Sequence, residues 1–477
     1  MSLSPHAVTS LLAGLFLAVV STAFMSPHLY LAPDSFIYFT MARQVSDTGL
    51  LFSFSGVDHT TGVHPLYYAL LSALYPFFGL SLPAWSFVIN GLAVIVGVFL
   101  LYRALGAIVA VVALLIMLTP WGLSLSNNGV ESSLVFVSLA LATWFIEKNK
   151  KSETPLIIAR IRANILFGIV LGIVVLARFD SIFFSFFLGA LVSFREGIRA
   201  SFHKESLLRF IRGSLITGAV VLLVLAPALF SNWYYDSSVV PISGKVKSSF
   251  PLFKYDWVTS LLNLKTFILA LLLTGVFLLR EVILKRESSI LIGSLFLGTG
   301  MLWLYNGLFV SNIGGWYGAV PFFAILITLG LTAKEFLPSR EGILSGLLCV
   351  GIISVMGLHF FVVGEDWISP HRDAALFLDS TRESGDAAAE LKDGEFAFYS
   401  TSPVYNLTGL ANNTVFVEAV VAGKLREYFL ERHVEYVVGG AVSSGVQVRG
   451  GEGLLVDCKN PLYDTGTVQI YRTPDCF

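Results

Sequence analysis

The feature that most constrains this chain is a succession of long apolar stretches that occupies most of its first 363 residues. Only 13% of the 477 residues are charged, against about 25% in a typical soluble protein. Apolar runs of this kind are typical of helices that cross a bilayer. The sequence therefore predicts a polytopic α-helical membrane protein. The runs fall at 6–25, 64–80, 85–102, 105–120, 131–146, 163–177, 181–194, 213–231, 266–280, 288–310, 317–333 and 342–363.

The placement of positive charge predicts the topology, because loops rich in Lys and Arg are typically cytoplasmic. If all twelve runs crossed the membrane and the N-terminus lay inside, the lysine-rich connection at 147–162 would face outside. The run at 64–80 would be about 25 Å long as a helix, short of a ~30 Å hydrocarbon core. We therefore predict that it lies on the outer face as an amphipathic or re-entrant helix and that about eleven helices span. Lys and Arg cluster at 147–162, 195–212, 280–287 and 334–341.

This topology predicts two domains, a transmembrane domain at 1–363 and a small extracytoplasmic α/β domain at 364–477, in a multi-pass protein of the plasma (inner) membrane. The run at 6–25 has no basic leading stretch and no small-residue cleavage site, so we expect it to be retained. Cys349 lies in an apolar run and is expected to be buried. Cys458 and Cys476 either pair, if the C-terminal domain (the tail, 364–477) is outside the cell, or remain free. The net charge of −1 gives no reason to expect a nucleic-acid partner.

Polar residues gather in the segments that this topology places on the outer face, and long loops between spans often carry function. In the first of them, Pro33 and Asp34 have the pattern of a helix start, and Tyr38 follows one turn later. Asp34 has two interpretations: an aspartate that caps the helix, or a catalytic carboxylate facing a cavity at the membrane boundary. Further along, His59 and His64 hint at a metal site. Without a third ligand at fixed spacing, a solvated loop is the simpler interpretation.

Two further groups of charges lie where apolar runs end. Glu131 begins an apolar helix without an adjacent cation. A carboxylate at membrane depth is costly unless it lines a water-filled site or has a partner. Arg178 and Asp180 interrupt two apolar runs and predict a tight turn. They form either an ion pair that joins two helices or an anion-binding arginine oriented by the aspartate.

A lysine pair lies on the side that otherwise has little positive charge. Lys245 and Lys247 follow the run that ends near residue 231 and lie in a predicted outer loop. They are either lysines that snorkel to the interface or ligands for a phosphate at the outer leaflet.

In this order, these segments resemble a GT-C glycosyltransferase, the class of multi-span enzymes that use polyprenyl-phosphate-linked sugars. The likeness is greatest to arabinofuranosyltransferase-like and protein-mannosyltransferase-like members, and it extends over nearly the whole chain. Two departures stand out. Many relatives have a second acidic residue where this chain has Ser35, and relatives of the tail often have an aspartate where it has Thr408. The resembling stretches are 34–38 with 42–43, 60–66, 128–131, 176–180, 235–245, 315–317 with Pro321, 405–412 and 425–438.

The resemblance implies transfer of a hexosyl or pentosyl group from a polyprenyl-phosphate sugar to a glycan, lipid or protein acceptor outside the cytoplasm. Asp34 fits the general base, and Glu131 would orient the acceptor or support that base. Cations around the departing phosphate stabilise its charge. Lys245 is the first candidate for that clamp, followed by Lys247 and Arg178. The substrate-binding set implied is Arg178, Asp180, Lys245, Lys247, His64 and Tyr38. No residue spacing demands a cofactor, and a divalent metal is compatible with such a site.

Two other classes of protein also place charges on membrane helices. A transporter more often has repeated halves with Gly- or Pro-broken segments at mid-depth, and no such repeat is visible here. A membrane-anchored binding or assembly protein would use the tail as its module. That interpretation leaves Asp34, Glu131 and Arg178 at the membrane boundary without a function.

Overall fold

The computed structural model describes most of the chain from residue 31 onward. Described are 31, 32, 34–117, 119, 122, 128–150, 161–199, 204–284, 289–311, 313, 315–336, 370–391, 394–408, 411–439, 445–448, 452–455, 458–465 and 468–476. The predicted spans at 6–25 and 342–363, together with Cys349, lie outside these residues.

The described part of the chain is mainly helical as far as residue 336. Its helices are α1 (Ser35–Thr48), α2 (Pro65–Phe78), α3 (Leu82–Leu105), α4 (Ala107–Met117), α5 (Ser132–Lys150), α6 (Ile161–Ala177), α7 (Ile182–Arg199), α8 (Lys204–Asp236), α9 (Ile242–Lys247), α10 (Trp257–Asn263), α11 (Lys265–Ile283), α12 (Ser289–Phe309) and α13 (Ala319–Phe336).

Five stretches of the described chain are long and apolar enough to cross a membrane. They are Pro65–Leu105, Phe210–Asp236, Lys265–Ile283, Ile290–Phe309 and Ala319–Phe336. Three shorter apolar helices cover Ala107–Met117, Ile161–Ala177 and Phe179–Phe194. The prediction of a polytopic α-helical membrane protein with a small C-terminal sheet is therefore confirmed, whereas the number of eleven spans is not.

The predicted outer helix at 64–80 is separated from the next apolar run by a break. Helix α2 has 14 residues, so it is about 21 Å long. Gly79, with φ of +51°, ends it before a 3₁₀ turn leads into α3. Tyr67, Leu71 and Tyr75 recur at intervals of four and form its buried face. The length and the break agree with a helix that does not span, which remains a prediction.

Small residues allow the apolar helices to approach closely. A Cβ added at Gly168 of α6 would lie 2.8 Å from the Val220 side chain of α8. One turn further, a Cβ at Gly172 would lie 2.7 Å from Val224. Spacing of small residues by four along one helix is a common basis of close helix packing in membranes. These two glycines allow α8, a helix of 33 residues, to pack directly against α6.

The C-terminal residues form an α/β domain, as the sequence predicted. Its elements are α14 (Pro370–Thr381), β1 (Ala387–Glu390), α15 (Glu395–Tyr399), β2 (Val404–Asn406), α16 (Thr414–Val421), α17 (Leu425–Glu431), β3 (Val434–Gly439), β4 (Gly445–Val448), β5 (Glu452–Leu455), β6 (Tyr463–Asp464) and β7 (Gln469–Arg472). The main sheet has the order β2-β1-β3-β7-β6, with β1 parallel to β2 and β3 and with β7 antiparallel to β3 and β6. Strands β4 and β5 pair separately, and Cys458 and Cys476 form a disulfide.

This domain packs on α1 and shares a hydrophobic core with it. Arg43 of α1 donates through Nη1 to the carbonyl oxygens of Phe398 and Ser400, at 2.6 and 2.7 Å. The Thr40 hydroxyl donates to the Gly394 carbonyl at 3.0 Å. Gly394 has φ of +95°, and a Cβ there would lie 3.2 Å from the Ile37 nitrogen, so a glycine permits this approach. The C-terminal domain is thus fixed directly against α1.

Candidate functional site

The predicted polar residues of separate segments converge on one cavity of about 50 Å³. Six of the eight predicted site residues line it: Asp34, Tyr38, His64, Glu131, Arg178 and Lys247. Asp180 and Lys245 are not among the lining residues. The rest of the wall consists of Ile37, Gly62, Val63, Val130, Ser243 and Tyr317.

The loop before α5 fixes the start of α1 against Glu131. The Asn128 carbonyl accepts a hydrogen bond from the Ala32 amide at 2.7 Å, and the Asn128 side chain accepts from the Val130 amide at 3.3 Å. Gly129 has φ of +75°, and a Cβ there would lie 2.9 Å from the Ser35 Cβ. Both its backbone conformation and this approach require glycine. Ser35 is buried against this turn.

Glu131 is the centre of a buried hydrogen-bond network. Its Oε1 accepts from Arg178 Nη1 at 2.6 Å, and its Oε2 accepts from the Tyr38 hydroxyl at 2.7 Å. Both carboxylate oxygens of Glu131 are therefore engaged. The expected partner of this membrane-depth charge is Arg178, 47 residues further along the chain.

Tyr38 and His64 connect Glu131 to the loop before α2. The Tyr38 oxygen accepts a hydrogen bond from the His64 amide at 3.2 Å, while the Tyr38 hydroxyl donates one to Glu131. Burial and the Glu131 charge raise the pKa of Tyr38, so it remains a phenol. His64 Nδ1 accepts from the Phe179 amide at 3.4 Å, which assigns the ring proton to Nε2, 3.5 Å from Glu131. Burial lowers the pKa of His64 although Glu131 opposes this effect, in keeping with a neutral ring.

Arg178 is held from two sides in the predicted tight turn between α6 and α7. Besides its bond to Glu131, its Nε donates to both carboxylate oxygens of Asp180 at 2.9 Å. Its guanidinium also lies over the Tyr317 ring, 4.3 Å from the centroid. Although burial disfavours its charge, the two carboxylates raise the pKa of Arg178. The ion pair predicted from the sequence is present, and Arg178 also lines the cavity.

Asp34 differs from Glu131 in having no such partners. It occupies the N-cap position of α1, as the sequence indicated, but its side chain makes no capping hydrogen bond. Among the residues that the structure describes, its carboxylate has no hydrogen bond or ion pair within 4 Å. Burial raises the pKa of Asp34, and Lys247 opposes the rise. Capping therefore does not explain this aspartate.

The two lysines lie on different faces of the short helix α9. Lys247 is buried and lines the cavity, with its Nζ 5.4 Å from the centre of the Tyr317 ring. No carboxylate of the described chain lies within 4 Å of that Nζ. Lys245 instead points away, and its Nζ donates to the Asp236 carbonyl at 3.1 Å.

Tyr317 is a site residue that was not predicted from the sequence, although its Gly-Trp-Tyr segment is one of the stretches that carry the resemblance. Its ring stands between Arg178 and Lys247 and contacts both cations, which is how two like charges can share one wall. His59 stacks on Tyr235 with ring centroids 4.1 Å apart and does not join His64. Among the described residues, no group of three or more His, Cys, Asp or Glu side chains is arranged to hold a metal ion.

No protein-family model and no curated protein sequence matches this chain. Solved structures match along almost its whole length. ArnT from Cupriavidus metallidurans in the apo state superposes with a TM-score of 0.58 at 12% identity, covering 96% of this chain and 97% of that one. The same protein bound to undecaprenyl phosphate gives a TM-score of 0.52 at 13% identity with the same coverage. An Archaeoglobus fulgidus oligosaccharyltransferase covers 91% of this chain and 69% of that chain at 11% identity, with a TM-score of 0.49.

At such identities a structural likeness establishes the fold. ArnT has the GT-C fold, and this chain therefore has the GT-C fold that the sequence resemblance predicted. It is a polytopic membrane protein whose helix ends and connecting loops build one polar cavity.

Proposed function

We propose that this chain is a membrane glycosyltransferase that moves a sugar from a polyprenyl-phosphate donor to an acceptor at the outer face of the plasma membrane. One observation carries the proposal: the cavity holds one carboxylate and one lysine, Asp34 and Lys247, without close partners of opposite charge among the described residues. A transfer of this kind requires a base and a cation. The GT-C fold, shared with a protein that binds undecaprenyl phosphate, supports the donor class.

Asp34 is the proposed general base. During transfer, the anomeric carbon–oxygen bond to phosphate breaks, the acceptor oxygen bonds to that carbon, and the acceptor proton passes to the base. An unpartnered carboxylate with a raised pKa suits this role, because it holds a proton better than an ordinary aspartate. Glu131 is a poorer candidate, since both of its oxygens already accept hydrogen bonds.

Lys247 is the proposed phosphate ligand, assisted by Arg178. The departing polyprenyl phosphate keeps the electron pair of the broken bond, and cations in a partly dehydrated cavity stabilise its charge. Lys247 brings a full charge to the cavity without a close counter-ion among the described residues. Lys245, also expected from the sequence to bind phosphate, is turned toward the Asp236 carbonyl and is the weaker candidate.

Glu131, Tyr38, His64 and Asp180 are proposed to hold the site together. Their hydrogen bonds tie the guanidinium of Arg178 to α1 and to the loop before α2. Catalysis depends on such preorganisation, because reacting groups that are already in position need no rearrangement in the transition state.

The direct test is a screen of polyprenyl-phosphate-linked sugars with the purified full chain, read as release of polyprenyl phosphate. We expect release with at least one pentosyl or hexosyl donor in the presence of glycan, lipid or protein acceptors. Transport of a sugar lipid without cleavage would instead favour the transporter alternative.

The proposed sidedness has its own test. Single cysteines introduced at Ser384 in the tail and at Lys150 in the lysine-rich connection should behave oppositely in intact cells. An impermeant thiol reagent should label position 384 and leave position 150 unlabelled. The reverse pattern would contradict an outer-face site.

A further inference from the structure

Helix α9 lies between the cavity and the C-terminal domain and presents a different face to each. Ser243 and Lys247, four residues apart, line the cavity. Ile242 and Val246, also four apart, are buried in the core of the C-terminal domain, which includes Phe416 and Tyr428. Residues four apart lie on the same side of a helix. One face of α9 therefore belongs to the site and the other to the tail.

A helix this short has little stability of its own. α9 has six residues, well below the ~12 residues at which isolated helices become even marginally stable. Its position, and hence that of Lys247, must come from the parts of the protein that contact it.

The start of α9 is anchored by hydrogen bonds from two other segments. The Ile242 amide donates to Thr61 Oγ1 at 3.1 Å, and the Thr61 hydroxyl donates to Asp236 Oδ2. Asp236 is 2% exposed and is the last residue of α8. Thr61 belongs to the same loop as Gly62, Val63 and His64 of the cavity wall.

The C-terminal domain also contacts Asp236. The Thr414 hydroxyl lies 3.4 Å from both the carbonyl oxygen and Oδ1 of Asp236. Lys245 Nζ donates to that carbonyl from the α9 side. Asp236 thus receives hydrogen bonds from the first outer loop, from α9 and from the tail.

We infer that Asp236, Thr61 and Thr414 are positioning residues through which the C-terminal domain sets the location of Lys247 in the cavity. None of the three lines the cavity. The inference rests on the proposed function only where it links Lys247 to the donor phosphate. The position of α9 itself can be tested without any ligand.

The ligand-free test is hydrogen–deuterium exchange of the purified full chain over residues 242–248. Thr61→Val and Thr414→Val keep the side-chain shape and remove the hydroxyl, whereas Thr61→Ser keeps the hydroxyl. We expect exchange of these amides to rise about two- to tenfold in both valine variants, the range for loss of one hydrogen bond, and to stay at the wild-type rate in Thr61→Ser. Unchanged exchange in both valine variants would overturn the inference.

The matched control breaks another contact of the C-terminal domain. Arg43 Nη1 of α1 donates to the carbonyl oxygens of Phe398 and Ser400, and Phe398 belongs to a different core from Ile242 and Val246 of α9. Arg43→Gln should loosen docking of the C-terminal domain on α1 without changing exchange at 242–248. An equal rise in this control would mean that any weakened tail contact loosens α9, and it would overturn the specific role of the Thr61–Asp236–Thr414 anchor.

The second measurement is affinity for undecaprenyl phosphate, used as a probe. Wild type, Thr61→Ser and Arg43→Gln should bind it alike, and the two valine variants about two- to tenfold more weakly. Equal binding by all variants, together with raised exchange in the valine variants, would overturn the link between the anchor and the phosphate. Failure of the wild type to bind would contradict the proposed donor instead, and the exchange result would still decide the position of α9.

Discussion

Glu131 and Asp34 line the same cavity, but their surroundings are opposite. Glu131 accepts hydrogen bonds on both oxygens, whereas Asp34 has no close partner in the described chain and a raised pKa. The cations divide in the same way, since Arg178 is held by two carboxylates and Lys247, within the described residues, by none. Removing one partner of a buried ion pair is strongly destabilising. An unpaired buried charge costs stability, so its presence points to a functional site. The comparison therefore separates residues expected to affect stability from residues expected to affect turnover.

The largest effect is expected for Asp34→Asn. Asparagine has nearly the same size, and no capping bond of Asp34 is lost, but it cannot take the acceptor proton. Turnover should fall about 10²- to 10⁴-fold, the usual contribution of a general base. The measurement is polyprenyl phosphate release by wild type and variant at matched expression.

Glu131→Gln is the companion variant for this experiment. It should lose less turnover than Asp34→Asn and more thermal stability, because a glutamine cannot accept from Arg178 and Tyr38 as the carboxylate does. If Asp34→Asn turns over like wild type while Glu131→Gln is inactive, Glu131 is the base.

Arg178→Gln should have the largest effect on stability. It removes the cation shared by Glu131 and Asp180 and leaves two buried or partly buried carboxylates without it. Breaking a buried ion pair from one side typically costs about 3–5 kcal/mol. Thermal unfolding of the purified protein measures the loss.

The control for Arg178 is Arg280→Gln, since Arg280 pairs with Glu335 in a more exposed position, with 41% of its side chain accessible. Exposed pairs contribute about 0–1 kcal/mol. Similar losses in the two variants would mean that the Arg178 network is no more important to folding than an exposed pair.

Which residues form the cavity can largely be predicted from the sequence, because the site residues lie at the ends of apolar runs. Membrane topology places such ends in a common layer, so the order of the runs alone groups Asp34, Glu131 and Arg178. The partners cannot be assigned in this way. Tyr317 contacts two cations, and Thr414 reaches Asp236 across 178 residues; such contacts depend on packing, which leaves no periodic pattern in the sequence.

The lysine pair illustrates a limit of a different kind. Residues two apart on a helix point roughly 200° apart, so Lys245 and Lys247 cannot both face one cavity once α9 is helical. A segment of six residues is too short for its periodicity to predict a helix. The sequence therefore indicated both lysines, and the folded chain separates them.

Lys247→Met should weaken donor binding and leave the fold intact, because this lysine has no close counter-ion among the described residues. Loss of a charged hydrogen bond to phosphate is worth ~1.5–3 kcal/mol, equivalent to an affinity about 10- to 150-fold lower. Binding of undecaprenyl phosphate measures it. Lys245→Met is the matched control and should have a smaller effect. Equal losses in the two variants would show that the position of Lys245 beside Asp236 does not exclude it from the phosphate site.

The smallest effect is expected for Asp34→Asn on stability, and it has the opposite sign to that of Arg178→Gln. Folding raises the pKa of Asp34, so the folded protein binds this proton more tightly than the unfolded chain, whose aspartates titrate near ~3.9. By linkage, the free energy of unfolding then falls as pH rises from that value through the raised pKa, and the penalty remains at higher pH. Asparagine carries no such penalty. Asp34→Asn should therefore unfold at an equal or slightly higher temperature than wild type at neutral pH, with the difference closing below about pH 4. A lower unfolding temperature at neutral pH would show that Asp34 makes a stabilising contact, and would place it with Glu131 among the residues that hold the cavity together.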